Sequence, residues 1–104
     1  MVVLVGIGVV PNAELAAAAK RHGVRVLGPN CLGVMRPDAG LNATFARTAA
    51  RPGKLALLSQ SGAICGAILD WAASAEVGFS SVISLGDMAD VDFGELLDFL
   101  ANDA

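Results

Sequence analysis

The run Lys54-Leu-Ala-Leu-Leu-Ser-Gln-Ser-Gly-Ala-Ile-Cys65 constrains the fold more than any other part of the chain. Lys54 to Leu58 reads as a strand suited to a core, and a Ser/Gly turn follows it at once. Ser59 and Ser61 are good N-cap residues, and Gly62 permits a tight turn at the first helical positions. Strand, turn and helix in direct succession describe the βα step of an α/β sheet. The same arrangement leaves backbone N–H groups unpaired at the positive end of a helix dipole, which suits a phosphate or a carboxylate. Many α/β proteins end strands this way with nothing bound. The turn alone therefore identifies an anion-compatible end without naming a ligand.

Alternating elements surround this step. Val2 to Val5 is a short apolar strand, followed by a Gly-rich turn (Gly6, Gly8) and Pro11. Ala13 to His22 reads as a helix with Asn12 as its cap. Lys20, Arg21 and His22 occupy its last turn, where cations suit the dipole, and Gly23 ends it. Val24 to Leu27 is a second strand, stopped by Gly28-Pro29-Asn30. The chain then reads as loop to Gly53, punctuated by Pro37, Gly40, Pro52 and Gly53. After Leu55 to Leu58 comes a helix from Ala63 to Glu76, with Ile64, Ile68, Trp71, Ala72 and Ala75 along one stripe, widened by Cys65 and Leu69. A helix this apolar is expected to be covered on most sides, with Cys65 and Trp71 in the core. Ser80 to Leu85 forms the next strand. A last helix, Phe93 to Asn102, opens with Asp92 and Glu95 in a capping-box pattern and turns Phe93, Leu96, Leu97 and Leu100 inward.

Strands separated by helices predict parallel βαβ units and an open α/β sheet. The elements fall into two pieces, one ending near Leu27 and one starting near Lys54. Each has too few strands for a sheet covered on both faces, which gives the chain the look of a fragment with open edges and makes oligomer formation a natural outcome.

Composition excludes several classes. With 55% apolar and 16% charged residues the chain is core-rich rather than disordered. A net charge of −3, one Trp and no Tyr argue against nucleic-acid binding. Apolar runs are interrupted well before about 18 residues, so no membrane span is expected. The stretch Val2 to Val10 lacks the basic start and the cleavage site of a signal peptide. Two widely spaced cysteines, Cys31 and Cys65, fit a reduced, cytoplasmic protein without a disulfide. Asp90 and Asp92 read as helix caps, since no further carboxylates or histidines gather to make a metal site. His22, the only histidine, reads as a surface residue closing a helix.

Three segments together carry a resemblance: RVLGPNCLGVMRPDAGLNATFA (Arg25 to Ala46), PGKLALLSQSGAICGAILDWA (Pro52 to Ala72) and SLGDMADVDFGELLDFLANDA (Ser84 to Ala104). The chain resembles the NDP-forming acyl-CoA synthetases, including acetate–CoA ligases, related to the α subunit of succinyl-CoA synthetase. The ligase-like region of bifunctional protein lysine acetyltransferases shares these motifs. The resemblance implies an α/β chain in which residues 1–46 end a Rossmann-like CoA-binding domain. Residues 47–53 would then be a linker, and 54–104 would begin a flavodoxin-like, succinyl-CoA ligase-like domain. The first dozen residues look unlike the family.

What the resemblance implies is an enzyme, an NDP-forming acyl-CoA ligase, interconverting acyl-CoA, phosphate and NDP with free acid, CoA and NTP through an acyl phosphate and a phosphohistidine. Ser61, Gly62 and Ala63 match the helix start that faces the phosphohistidine, as a phosphate-binding set. The related α subunit has Thr at the position of Ala63, so one hydroxyl contact is absent here. Asn30 and Cys31 match positions near the CoA thiol and the acyl group. Taken without the resemblance, Cys31 reads as a small buried hydrophobe, and with it as a wall of the pocket rather than a nucleophile. Ser59, Gly86 and Asp87 share the strand-end edge and are candidates to line the site, although Gly86 and Asp87 fit a solvated turn equally well.

By the same resemblance no catalytic residue falls in this chain. The phosphoryl-carrying histidine and an ATP-grasp domain or subunit would lie outside it, with ATP, ADP and Mg needed only there. The expected partners are CoA or acyl-CoA, phosphate and that ATP-grasp unit, and the chain alone is expected to be inactive. Two further readings stay open: an acyl-CoA-binding regulatory region of a lysine acetyltransferase, and a freestanding flavodoxin-like module for flavin or another phosphate ligand.

Overall fold

In the computed structural model, residues 2–5 and 11–102 are described. The first unit is β1 (Val2–Val5), α1 (Asn12–Arg21) and β2 (Val24–Leu27), with β1 and β2 paired in parallel. Pro11, not Asn12, holds the cap position of α1, and no side chain bonds to the open N–H groups there. Proline's fixed φ already matches a helix entry, which moves the start one residue earlier. Glu14 in the first turn and Lys20 and Arg21 in the last oppose the helix dipole correctly. His22 is exposed at the C-cap. The Gly-rich turn Gly6 to Gly8 lies outside the described residues.

The segment expected as loop carries a β-hairpin instead. β3 (Gly33–Arg36) and β4 (Leu41–Thr44) pair antiparallel around a 3-10 turn, Pro37–Ala39. Pro37, Asp38 and Gly40 are hairpin punctuation, and the strands beside them are too short to show a decisive alternation. β5 (Arg51–Ser59), α2 (Gly62–Ala75), β6 (Gly78–Ser84) and α3 (Phe93–Ala101) complete the chain. The larger sheet has the order β4-β3-β6-β5. β5 and β6 are parallel, joined over α2, whereas β3 is antiparallel to β6. The architecture is α/β with a mixed sheet, not a purely parallel one.

β6 is the central strand, buried from Val82 to Ser84 and flanked on both edges. One face of the sheet meets α2 through Cys65, Leu69 and Ala72, packed with Leu32, Met35, Phe79 and Val82. The other face gathers Leu27, Cys31, Ile83 and Leu85, with Leu96 of α3 against them. The two sheets are laced together by the segment after β6. Its Asp87, Ala89 and Val91 N–H groups donate to the carbonyls of Pro29, Gly28 and Val26 at 2.9–3.1 Å.

Three expectations about burial are corrected. β5 is an edge strand, so Lys54 to Ala56 are exposed and Leu55 keeps 57% of its surface. Pro52 and Lys54 on that edge are residues that discourage further strand pairing. In α2 the buried residues Cys65, Leu69 and Ala72 all belong to the face expected, but that face is narrower than expected, and Ile64 and Trp71 stay exposed at 55% and 61%. Small side chains at Cys65 and Ala72 let the helix approach the sheet closely, which the bulkier stripe through Ile64 and Trp71 would prevent. α3 likewise leaves Phe93 and Leu97 exposed and buries only Leu96 and Leu100 in part. Among the described residues no helix is long and apolar enough to cross a membrane.

Candidate functional site

The parallel pair β5 and β6 ends in register, Ser59 beside Ser84. The chains then stay together for two more residues: Leu85 N–H donates to Ser59 O (2.8 Å) and Gly86 N–H to Gln60 O (3.1 Å). Ser61 caps α2 as expected, its hydroxyl accepting from Ile64 N–H at 3.2 Å. Ser59 stands behind it, its hydroxyl accepting from Ser61 N–H at 3.1 Å. Of the three backbone donors expected here, Ser61's is thus engaged internally. Gly62 and Ala63 N–H have no protein acceptor among the described residues. They sit in the first turn, where the helix itself supplies none.

The Asn30 loop reaches this turn from the other side. Leu32 N–H donates to the buried Ser84 Oγ at 3.2 Å, and Asn30 Nδ2 to Asp87 Oδ1 at 3.4 Å. Asn30 is in the left-handed region (φ 56°), which asparagine tolerates. A side chain on Gly62 would begin 3.2 Å from the Leu32 N and Cβ, so the glycine lets the loop lie against the helix start. Gly86 (φ 58°) is buried, and a Cβ on it would lie 2.2 Å from Pro29 O. Its role is close backbone approach, not a solvated turn.

Two cavities meet at Asn30 and Gly62. A polar cleft of about 340 Å³ is lined by Asn30, Gln60, Ser61, Gly62, Gly86 and Asp87. A larger cavity of about 610 Å³ runs along α2, with Cys31 and Leu32 as its floor and residues 45–48 as its far wall. Ala63 and Cys31 line this second cavity and not the polar cleft, while Ser59 lines neither. Burial pushes the Cys31 thiol up, away from thiolate chemistry. Gln60, Phe45, Thr48, Gly66 and Asp70 are wall residues that the sequence reading missed. Gly66, one helical turn after Gly62, was the legible signal.

Asp90 is no cap. Its carboxylate takes Arg25 Nε at 3.0 Å and Val26 N–H at 2.8 Å, while Arg25 also pairs with Glu95. Glu95 therefore leaves the capping box half made; Asp92 accepts from Glu95 N–H at 2.9 Å as expected. Among the described residues no cluster of His, Cys, Asp or Glu has the makings of a metal site.

The family model for the succinyl-CoA ligase-like flavodoxin domain matches residues 52–104. An ADP-forming acetate–CoA ligase of Archaeoglobus fulgidus is 48% identical over 90 residues, which is 86% of this chain and 13% of that protein. A crystal structure from Pyrococcus horikoshii superposes on the whole chain with a TM-score of 0.94 and 38% identity. The dinucleotide-forming acetyl-coenzyme A synthetase 1 of Candidatus Korarchaeum cryptofilum, solved with phosphate and ADP, covers 98% of the chain at a TM-score of 0.91 and 36% identity. The chain spans 26% and 24% of those two solved chains.

Proposed function

The chain belongs to the succinyl-CoA ligase-like flavodoxin domain family, and we propose that it supplies the phosphoryl- and acyl-binding elements of an NDP-forming acyl-CoA ligase. The observation that carries this reading is the polar cleft at the start of α2, where Gly62 N–H lacks an acceptor among the described residues and Ser61 fixes the turn; Ala63 N–H, likewise without one, borders the adjoining cavity. These donors and the helix dipole hold phosphate oxygens without reorganising as charge moves among them. Asn30 faces the same cleft and orients the group being transferred. The thioester carbon of an acyl-CoA is attacked there by a phosphate oxygen; the C–S bond breaks and CoA leaves as its thiol, giving an acyl phosphate. Asp87, across the cleft, supplies a carboxylate that favours a cationic or N–H-bearing partner over a second anion.

In this reading residues 1–46 end a CoA-binding part and 54–104 begin the ligase part, joined by 47–53; the family match beginning at residue 52 supports it. The hairpin β3–β4 then reaches across that junction to β6. The carrier histidine and an ATP-grasp partner, with ADP or ATP and Mg, belong to residues outside this chain. The reading places the protein in the cytoplasm, in keeping with Cys31 and Cys65 being buried thiols.

Calorimetric titration of the chain with CoA, and phosphorus NMR with inorganic phosphate, test it. Saturable binding of both is expected, with no ATP formed from acetyl-CoA, phosphate and ADP by the chain alone. Binding of neither overturns the site; ATP formation by this chain alone overturns the division of roles.

A further inference from the structure

The larger cavity holds more than a two-carbon acyl group needs. It follows α2 from Gly62 to Asp70, eight residues or about 12 Å of helix at roughly 1.5 Å each. An extended chain advances roughly 1.2 Å per bond, so an acetyl group would occupy only the mouth at Asn30 and Gly62. Between the ends the walls are apolar: Cys31, Leu32, Phe45, Ala46 and Leu69. The polar side chains are Asn30 beside the phosphoryl cleft, Thr48 with Asp70 at the other end, and Arg47, Thr48's neighbour on the 45–48 wall. Thr48 Oγ1 donates to Asp70 Oδ1 at 2.5 Å and pins the 45–48 wall to the helix. Gly66 lies midway, and a Cβ built on it meets nothing within 4 Å. The groove is therefore open beside Gly66.

Resting on the ligase reading above, we propose that this groove receives an unbranched acyl chain longer than acetyl, and that Gly66 and Phe45 determine its permitted length and thickness. The occupant is aliphatic because, apart from Arg47 next to Thr48, the side chains lining the groove between Asn30 and Asp70 are apolar. Its reactive head lies at Asn30 because only there does the groove open into the cleft with free N–H donors. The pantetheine arm of CoA is the competing occupant; Arg47 could donate to one of its amide carbonyls, but the apolar stretch from Leu32 to Leu69 offers the rest of its polar groups nothing.

The test uses the full 104-residue chain and two ligand series: CoA with acetyl-, butyryl- and hexanoyl-CoA, and free acetate with hexanoate. Affinity is expected to rise roughly threefold per added methylene. Gly66→Leu fills the groove, yet should fold at least as well, because glycine is a poor helix-interior residue. It is expected to erase the gain for hexanoyl-CoA, at least tenfold, while leaving CoA within twofold. Gly66→Ala should retain most of the gain. Free hexanoate, but not acetate, should shift the NMR signals of Gly66 and Leu69.

Equal loss of CoA and hexanoyl-CoA in Gly66→Leu assigns the groove to pantetheine and overturns the proposal. So does CoA binding with no dependence on acyl length, which leaves the ligase reading standing. Hexanoate binding without any CoA binding supports the groove and removes the ligase reading. Binding of nothing in either series overturns both.

Discussion

Gly86 and Pro29 touch through their backbones: a methyl group on Gly86 would sit 2.2 Å from the Pro29 carbonyl oxygen. The glycine also holds a φ of 58°, which side chains resist. Gly86→Ala is therefore expected to destabilise the fold by about 2 kcal/mol or more. Urea denaturation followed by circular dichroism measures it. An unchanged midpoint would show that the contact is slack.

Ser61 has two separable duties, and aspartate divides them. Ser61→Asp keeps an effective cap and should hold stability within about 0.5 kcal/mol. Its charge at the cleft should weaken phosphate binding more than about tenfold. Ser61→Ala is expected to lose about 1 kcal/mol of stability instead. Phosphate titration and thermal melts on both variants read the two effects.

The Arg25–Asp90 pair carries an acid signature. The Arg25 guanidinium, aided by Val26 N–H and opposed by burial, holds the Asp90 carboxyl below the usual carboxylate range. A lowered folded pKa means the contribution is fully present above the unfolded value, about 3.9, and is lost as pH falls through the folded one. Urea midpoints at pH 6 and pH 2.5 should differ less in Asp90→Asn than in the unmodified chain. An equal acid loss in both would leave the pair without a role.

Leucines on β5 and α2 should behave unlike each other. Leu69, on the inner face of α2, is 2% exposed and packs with Met35, Phe79 and Val82, so Leu69→Ala is expected to cost about 3 kcal/mol. Leu55, on the edge, should cost no more than about 0.5 kcal/mol. Equal costs measured by denaturation would mean the β5 edge is covered.

Neither cysteine should react readily while the chain is folded. Burial pushes both thiols up, and Cys31 and Cys65 are nearly inaccessible. A chromogenic disulfide at neutral pH should titrate both thiols rapidly only after denaturation; in the folded chain both should react slowly, Cys31 ahead of Cys65 because it borders a cavity. Immediate reaction of both would contradict the packing.

Local chemistry was legible in the sequence wherever the answer is local. Ser61 and Asp92 cap helices because their partners are three residues away, and β2 stops at Gly28 for reasons contained in its own turn. Relations across the chain were not legible. Asn30 meets Asp87 over a separation of 57 residues, and nothing near either residue announces the other. On α2 the inward Cys65, Leu69 and Ala72 were legible, but hydropathy also drew Ile64 and Trp71 into the core, whereas close helix–sheet contact is made through small Cys65 and Ala72. Strand β5 was misread because its apolar run does not reveal whether a neighbour lies on both sides. Gly86 shows the same gap: its glycine was visible, and the carbonyl that requires it was not.

The position of β6 has a consequence for synthesis. The hairpin and β5 both leave the ribosome before the strand that separates them exists, and Met35 waits for Val82. Until residue 84 has emerged, the sheet has two flanks and no middle. Its two unmatched edges must stay apart during elongation, the interval in which unpaired strands are most apt to find wrong partners. When β6 does insert, it brings the Asn30 loop and the Ser61 turn to the same strand end in one event. The polar cleft therefore has no half-built precursor on the nascent chain; it is born whole with the last strand.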